Sequence, residues 1–312
     1  MSAMRISSRG GSIRFSPDAR SAVRSLMAMA AAALVAHPAT AAAQELGAPW
    51  DSVAQTLQAP GMATGTYFRY GMPRRDLTVH IGDVTVAPAL ALGSWAGFSG
   101  PATDATMMGD LVVTAQELPG ALQEFSRQGI GVTAIHNHLV GETPAITYVH
   151  FHDQGRALDM ATRLARVVQR TATPLPVTPA PPEPLTIDTA AVFRALGASG
   201  RAHGAMAQLS FNLVPGPVRQ QGRLVTPALG YGTAINIQMT TAGRAVATGD
   251  FAVLAPRVDP VLDALAANHI TTTAVHNHLA GEVPRIHFIH FWADGPLDDV
   301  LRGLRAALDA GR

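Results

Sequence analysis

The stretch "GIGVTAIHNHLVGETPAITYVHFH", residues 129–152, decides how this chain folds. Gly129 suits a helix stop. The residues after it are rich in β-branched and aromatic types and are interrupted by a Gly-Glu-x-Pro turn. That pattern predicts two strands joined across the turn. Residues two apart on a strand share a face, so His136 and His138 project together. The return strand carries His150 and His152. Pairing across the Pro144 turn sets His138 opposite His150 and His136 opposite His152, and any other even register keeps the four on one face. Glu142, in the turn, adds a carboxylate.

The passage occurs twice. "HITTTAVHNHLAGEVPRIHFIHFW", residues 269–292, supplies His276, His278, Glu282 and His290. Around that second set Trp292 stands for His152, His287 for Thr147 and Arg285 for Ala145. The likeness extends outward. "VAPALALGSWAGF" (86–98) answers to "VTPALGYGTAINI" (225–237), and "MMGDLVVTAQELPGALQEFSRQGI" (107–130) to "ATGDFAVLAPRVDPVLDALAANHI" (247–270), at offsets of 139 and 140. A fixed offset is the mark of a duplicated unit. Between the copies "TATPLPVTPAPPEPLT" (171–186) has the proline density of an extended linker. The chain therefore divides into a lobe at 48–170, a linker at 171–186 and a second lobe at 187–311.

Within the first lobe, strands are expected at 76–98, then "DLVVTA" as a short apolar strand. A helix over Glu117–Gln128 carries Leu118, Leu122 and Phe125 at helical spacing. After the histidine hairpin, residues 154–170 read as an amphipathic helix with Leu158, Ala161, Leu164 and Val167 inward. The order β-α-β-β-α predicts an α+β fold, with the two lobes packed as an intramolecular pseudo-dimer.

Composition narrows the chemistry. The chain has no cysteine, and every basic residue is arginine. Thiolate nucleophiles, sulfur-ligated zinc, disulfides, Schiff-base lysines and a Walker loop are thereby excluded. Any metal must be held by nitrogen and oxygen. Arg5, Arg9, Arg14, Arg20 and Arg24 precede the apolar run "SLMAMAAAALVA" and the small-residue stretch "HPATAAAQE". This reads as a signal peptide over 1–43 and implies a periplasmic or secreted protein. A run of 12 residues falls short of the ~20 needed to span a bilayer, so no stable membrane anchor remains after cleavage. The remaining chain carries 18 arginines against 21 acids, about −3, without a basic patch, so nucleic acid is not an expected partner.

The histidine set suits a divalent metal, zinc first, with manganese, iron or nickel as alternatives. The metal ligands read from the sequence are His136, His138, Glu142 and His150 in one lobe and His276, His278, Glu282 and His290 in the other. Two functional readings are open. In the first the protein is a metal-dependent hydrolase or lyase. Glu282 is then ligand or general base, and Arg285 orients a small, anionic substrate. In the second it is a non-catalytic module that binds metal or a small ligand. The bland alternative makes the Gly-Glu-x-Pro segment a structural turn whose glutamate bonds backbone N–H groups, and the histidines interface residues bonded to backbone. His37, His80, His203 and His269 read as structural. The letters "HNH" do not make a nuclease motif, and although His-x-His-x3-Glu matches a cupin spacing, the helix before it argues against an all-β barrel.

The segments "PRRDLTV", "PALALGSWAGF", "GDLVVTAQEL", "GIGVTAIHNHLVGETP" and "VHNHLAGEVPRIHFIHFWADG" together resemble the LppY/LpqO family, over most of 50–310 and in two copies. The resemblance implies an exported bacterial protein but no established activity. The first lobe departs from the pattern at Ala145, Thr147 and His152. The second lacks the "PRRD" element, having "LSFNLVPGPVRQQ" instead.

Overall fold

The computed structural model describes residues 46–241 and 243–312; the expected signal segment, with His37, lies outside them. The first lobe begins with helix α1 (Ala48–Leu57) and strands β1 (Gly61–Thr64) and β2 (Tyr67–Pro73). A small hairpin comes next, β3 (Val79–Ile81) and β4 (Val84–Val86), then a single turn, α2 (Pro88–Ala91). The remaining elements are β5 (Gly93–Ser99), β6 (Ala105–Thr114), α3 (Leu118–Gln128), β7 (Gly131–His136), β8 (Ile146–Gly155) and α4 (Ala157–Val168). The second lobe repeats the plan with α5 (Thr189–Leu196), β9 (Gly200–His203), β10 (Met206–Phe211), β11 (Val218–Gln220), β12 (Arg223–Val225) and a π-turn (Pro227–Tyr231). It continues through β13 (Thr233–Thr241), β14 (Arg244–Leu254), α6 (Val258–Ala267), β15 (Thr271–His276), β16 (Glu282–Val283), β17 (Ile286–Pro296) and α7 (Leu297–Ala310). The fold is α+β, with two repeated lobes.

Each lobe is built on a six-stranded antiparallel sheet, in the orders β1-β2-β5-β6-β8-β7 and β9-β10-β13-β14-β17-β15. Helices cover one face of each. In the first lobe Trp50, Val53 and Leu57 of α1, Phe125 of α3 and Leu164 and Val167 of α4 pack on Phe98, Met107, Leu111 and Phe151 of the sheet. Gly129, at φ 65, ends α3 as the sequence predicts. The expected helix 154–170 starts later, because Gly155 still pairs with Ala105 in the sheet. Leu158, expected inward, is instead 39% exposed. The buried stripe runs through Ala157, Met160, Ala161, Leu164 and Val168, and Leu158 stands about 100° around the helix from Ala157.

The opposite faces of the two sheets meet. β3, β4 and α2 of the first lobe lie over the second lobe's sheet: Ala87 N–H donates to Gln238 Oε1 (2.9 Å), and Gln238 and Asn236 amides donate to Thr85 O (2.8 Å) and Leu90 O (2.9 Å). Met206 and Val246 join Val79, Leu90 and Tyr148 in one buried cluster. Reciprocally, Met108 of the first lobe is buried among Val218, Val225, Leu229 and Tyr231 of the second. At ~1.5–3 kcal/mol for each fully buried side chain of this size, this exchange of hairpins holds the lobes as a pseudo-dimer. It also explains why β6 and β8, with an apolar layer on each side, are buried along most of their length.

Candidate metal centre

The paired strands at the middle of each sheet set the site. Asp110 on β6 lies directly across from His150 on β8, and Asp250 on β14 directly across from His290 on β17. β7 and β15 form the outer edge and end at His136 and His276. The hairpin register differs from the expected one: His136 faces Tyr148, and Ala134 faces His150, with a bulge between Val132 and Ala134. His138 is not paired at all, since β7 stops two residues earlier and the connection to β8 runs over 137–145. The shift is by an even number, so the histidines still share a face. His138 lies flat on Tyr148, with centroids 3.6 Å apart, and His278 on Phe288 at 3.9 Å.

The sequence offers one ligand set per lobe, whereas the structure brings the histidines of both lobes into one cluster. His136 stacks on His276 (4.0 Å), His138 on His290 (3.8 Å) and His150 on His278 (4.5 Å). Each of these three pairs joins one lobe to the other. His136, His138, His278 and His290 each present one nitrogen, and these four atoms lie within 4.8 Å of one another, a group that could hold a metal ion. Thr273 Oγ1 donates to His138 O across the same boundary (2.7 Å).

The donor chemistry fits a cation. His150 Nδ1 bonds Asp110 Oδ1 (2.9 Å), and His290 Nδ1 donates to Gly249 O (3.1 Å) with the Asp250 carboxylate against it. A carboxylate or carbonyl on Nδ1 fixes the tautomer that leaves Nε2 as a lone-pair donor, as the outer partners of metal-bound histidines do. His150 Nε2, His278 Nε2, His290 Nε2, His136 Nδ1 and both ring nitrogens of His276 are buried without a hydrogen-bond partner. An unpaired buried polar atom costs ~1–3 kcal/mol, and so many in one cluster indicate a place for an electrophile. Asp110 and Asp250 are absent from the ligand sets read from sequence. Their signal is the Gly-Asp pair inside an apolar strand, present in both copies. Gly109 and Gly249 allow the close approach, because a Cβ would come within 2.1 Å of Trp95 O and 1.9 Å of Ala234 O.

Burial favours the neutral form of four of the cluster's imidazoles. It pushes His136 down to about 3 and His276 to about 2, and holds His138 and His278 well below the usual histidine range, the neighbouring histidines adding to the effect in each case. Burial alone would raise Asp110, but the charge and hydrogen bond of His150 bring it to about 2. His290 goes the other way: burial lowers it, and the Asp250 charge outweighs burial and raises it. With His152, which burial lowers to about 4, five depressed histidines against one raised one fix the sign. Below ~6.5 the unfolded chain takes up protons that the metal-free folded chain refuses, so stability falls as pH drops from ~6.5 towards 3. Urea midpoints of metal-free protein should decline steadily from pH 7 to pH 5, and midpoints flat over that range would contradict neutral burial.

The remaining sequence candidates are placed differently. Glu142 and Glu282 each accept the backbone N–H four residues on, Ile146 (3.2 Å) and Ile286 (3.0 Å), the turn role that the bland alternative gives them. Neither is in the four-nitrogen group. Glu282 Oε2 is nevertheless buried and unpartnered. It lies opposite Gln220, itself buried with both amide atoms unpartnered. Arg285 is exposed, its Nε 3.6 Å from Glu282 Oε1. Trp292, which stands where the first lobe has His152, packs on the inter-lobe cluster with Val79 and Val86. His152 bonds Gln154 (3.2 Å). A cleft of about 780 Å³ lies elsewhere, lined by Trp50, Phe68, Asp104, Arg219 and Arg223 among others.

No curated protein matches the chain. Among solved structures, a double-ringed trimeric shell protein from the RMM microcompartment aligns over 66% of this chain and 82% of its own, at 10% identity and a TM-score of 0.17. EtuB from Clostridium kluyveri aligns over 81% and 90%, at 13% identity and a TM-score of 0.20. Likenesses this slight carry no argument. The family comparison is firmer: residues 51–170 and 190–310 each match one family pattern, dividing the chain where its own repeat divides it. The chain belongs to the family described as Domain of Unknown Function (DUF1259), of which it holds two copies in tandem.

Proposed function

We propose that this is an exported metal-binding protein of LppY/LpqO type, whose centre is a divalent cation held between its two lobes by histidine nitrogens. The observation that carries the reading is the convergence of four histidine nitrogens, two from each lobe, within 4.8 Å. Neutral imidazoles favour zinc, with manganese, iron and nickel as further fits. His150 and His290 are 1% and 0% exposed. Such enclosure favours a retained cation over an open reactive site. A hydrolytic or lyase role would rest on Glu282 Oε2, the one unpartnered carboxylate oxygen of that turn. Export rests on the arginine-rich, apolar leader at 1–43.

Elemental analysis of protein purified after growth with zinc tests the reading directly: metal at stoichiometric level is expected, and metal-free protein that also takes up no zinc on titration would refute it. Asp250 gives a finer test. Asp250→Asn keeps shape but removes the charge behind Nδ1 of His290, one of the four histidines. Loss of such a partner weakens affinity ~10–100-fold. The zinc affinity measured by chelator competition should fall in that range, while unchanged affinity would remove Asp250 from the site.

A further inference from the structure

The repeat offset of 140 carries His136 to His276, His138 to His278 and His150 to His290. Applied to the cluster, it divides the six histidines into two related triads. One is His136 and His138 of the first lobe with His290 of the second. Its mate is His276 and His278 of the second lobe with His150 of the first. The stacking pairs obey this relation, since His138 on His290 (3.8 Å) is matched by His278 on His150 (4.5 Å). The pairs within each His-x-His obey it too, at 5.1 Å for His136 and His138 and 4.7 Å for His276 and His278.

A single cation on the four-nitrogen group uses His136, His138, His278 and His290. It leaves His150 and His276 with no task. Yet His150 is held by Asp110 as His290 is by Asp250. His150 Nε2 and both nitrogens of His276 are buried and unpartnered, as is His278 Nε2. Each ring of the mate triad therefore has a free donor atom. His278 lies within reach of both sets.

We infer that His150, His276 and His278 bind a second divalent cation, so that the centre is dinuclear, with one three-histidine site on each side of the inter-lobe boundary. This rests on the single-centre reading above and extends it. Three histidines per ion match the ligand number of zinc sites that keep a fourth position for water or substrate.

The experiment is zinc titration of metal-stripped whole protein, with bound metal counted after gel filtration and the fold checked by far-ultraviolet circular dichroism. Two zinc ions per chain are expected. His276→Gln and His150→Gln should each bind one, and His136→Gln should also bind one. Saturation at a single zinc in the unaltered protein, or retention of two in both His276→Gln and His150→Gln, overturns the second site and leaves the first intact. Zero zinc in the unaltered protein overturns both. If a variant misfolds, manganese(II) loading of the unaltered protein decides by electron paramagnetic resonance. Spin-coupled pairs support two adjacent ions, and only isolated manganese contradicts them.

Discussion

Stripping the metal is expected to lower the melting temperature by about 10 °C, and restoring zinc to reverse the loss. A ligand present at a thousand times its dissociation constant stabilises the folded state by ~4 kcal/mol, and in a chain of this size each kcal/mol moves the midpoint by ~2–4 °C. The geometry makes this coupling direct, because the four nitrogens come from strands β7 and β17 and the turns after β7 and β15, in different lobes. An unfolded or undocked chain does not assemble them. A single substitution separates the metal from ordinary packing. His278 is 4% exposed, stacked on Phe288, and its Nε2 is unpartnered. Replacing it by leucine removes a desolvated polar atom and supplies apolar volume. His278→Leu should therefore melt at or above the metal-free parent, yet gain less from zinc than the parent does. Equal melting temperatures of the parent with zinc and with chelator would assign the histidines a purely structural role.

How much of this can be read in the sequence depends on the distance between cause and effect. The helix end at Gly129, the strands on either side of the Pro144 turn and the shared face of His136 and His150 all arise from local periodicity, which the residues state directly. The register is not local, because the bulge at Val132–Ala134 and the long connection over 137–145 are set by what packs on them. One such contact is the bridge between His80 and Thr143, whose backbone groups bond both ways at 2.9 Å. The union of the two ligand sets is not legible either. It comes from each lobe's hairpin docking on the other lobe's sheet, an association made by residues such as Met108 and Met206 that look like ordinary core. Asp110 and Asp250 are hidden for a related reason: a carboxylate within an apolar strand has meaning only once the strand beside it is known.

The other large effect concerns the "PRRD" element. Arg74 is fully buried, and its guanidinium bonds Asp76 (2.9 and 2.8 Å), Glu117 (2.8 and 3.1 Å) and Val112 O (2.9 Å). Glu117 in turn accepts the N–H groups of Thr114 (2.8 Å) and Ala172 (2.6 Å), so one arginine ties β6, the start of α3 and the linker together. The second lobe shows the alternative. Met72 pairs with Ser94 and Phe211 with Thr233, which makes Leu213 the counterpart of Arg74 and Pro215 that of Asp76, while Arg257 corresponds to Glu117. There Leu213 packs in an apolar core without any such network. Breaking a buried ion network by removing one member costs ~3–5 kcal/mol, because the partners stay desolvated and unpaired, whereas replacing the network as a whole is often neutral or better. Arg74→Leu alone is thus expected to lower the melting temperature by roughly 10 °C. Adding Glu117→Gln and Asp76→Ala should recover much of that loss, since the carboxylates left unpaired are then gone. Thermal melts of the single and triple variants read the difference, and a triple variant less stable than Arg74→Leu would mean that the carboxylates stabilise this corner without their arginine. The site should be indifferent to the change: Arg74 belongs to the structural half of the repeat, so zinc uptake by the triple variant should equal that of the parent.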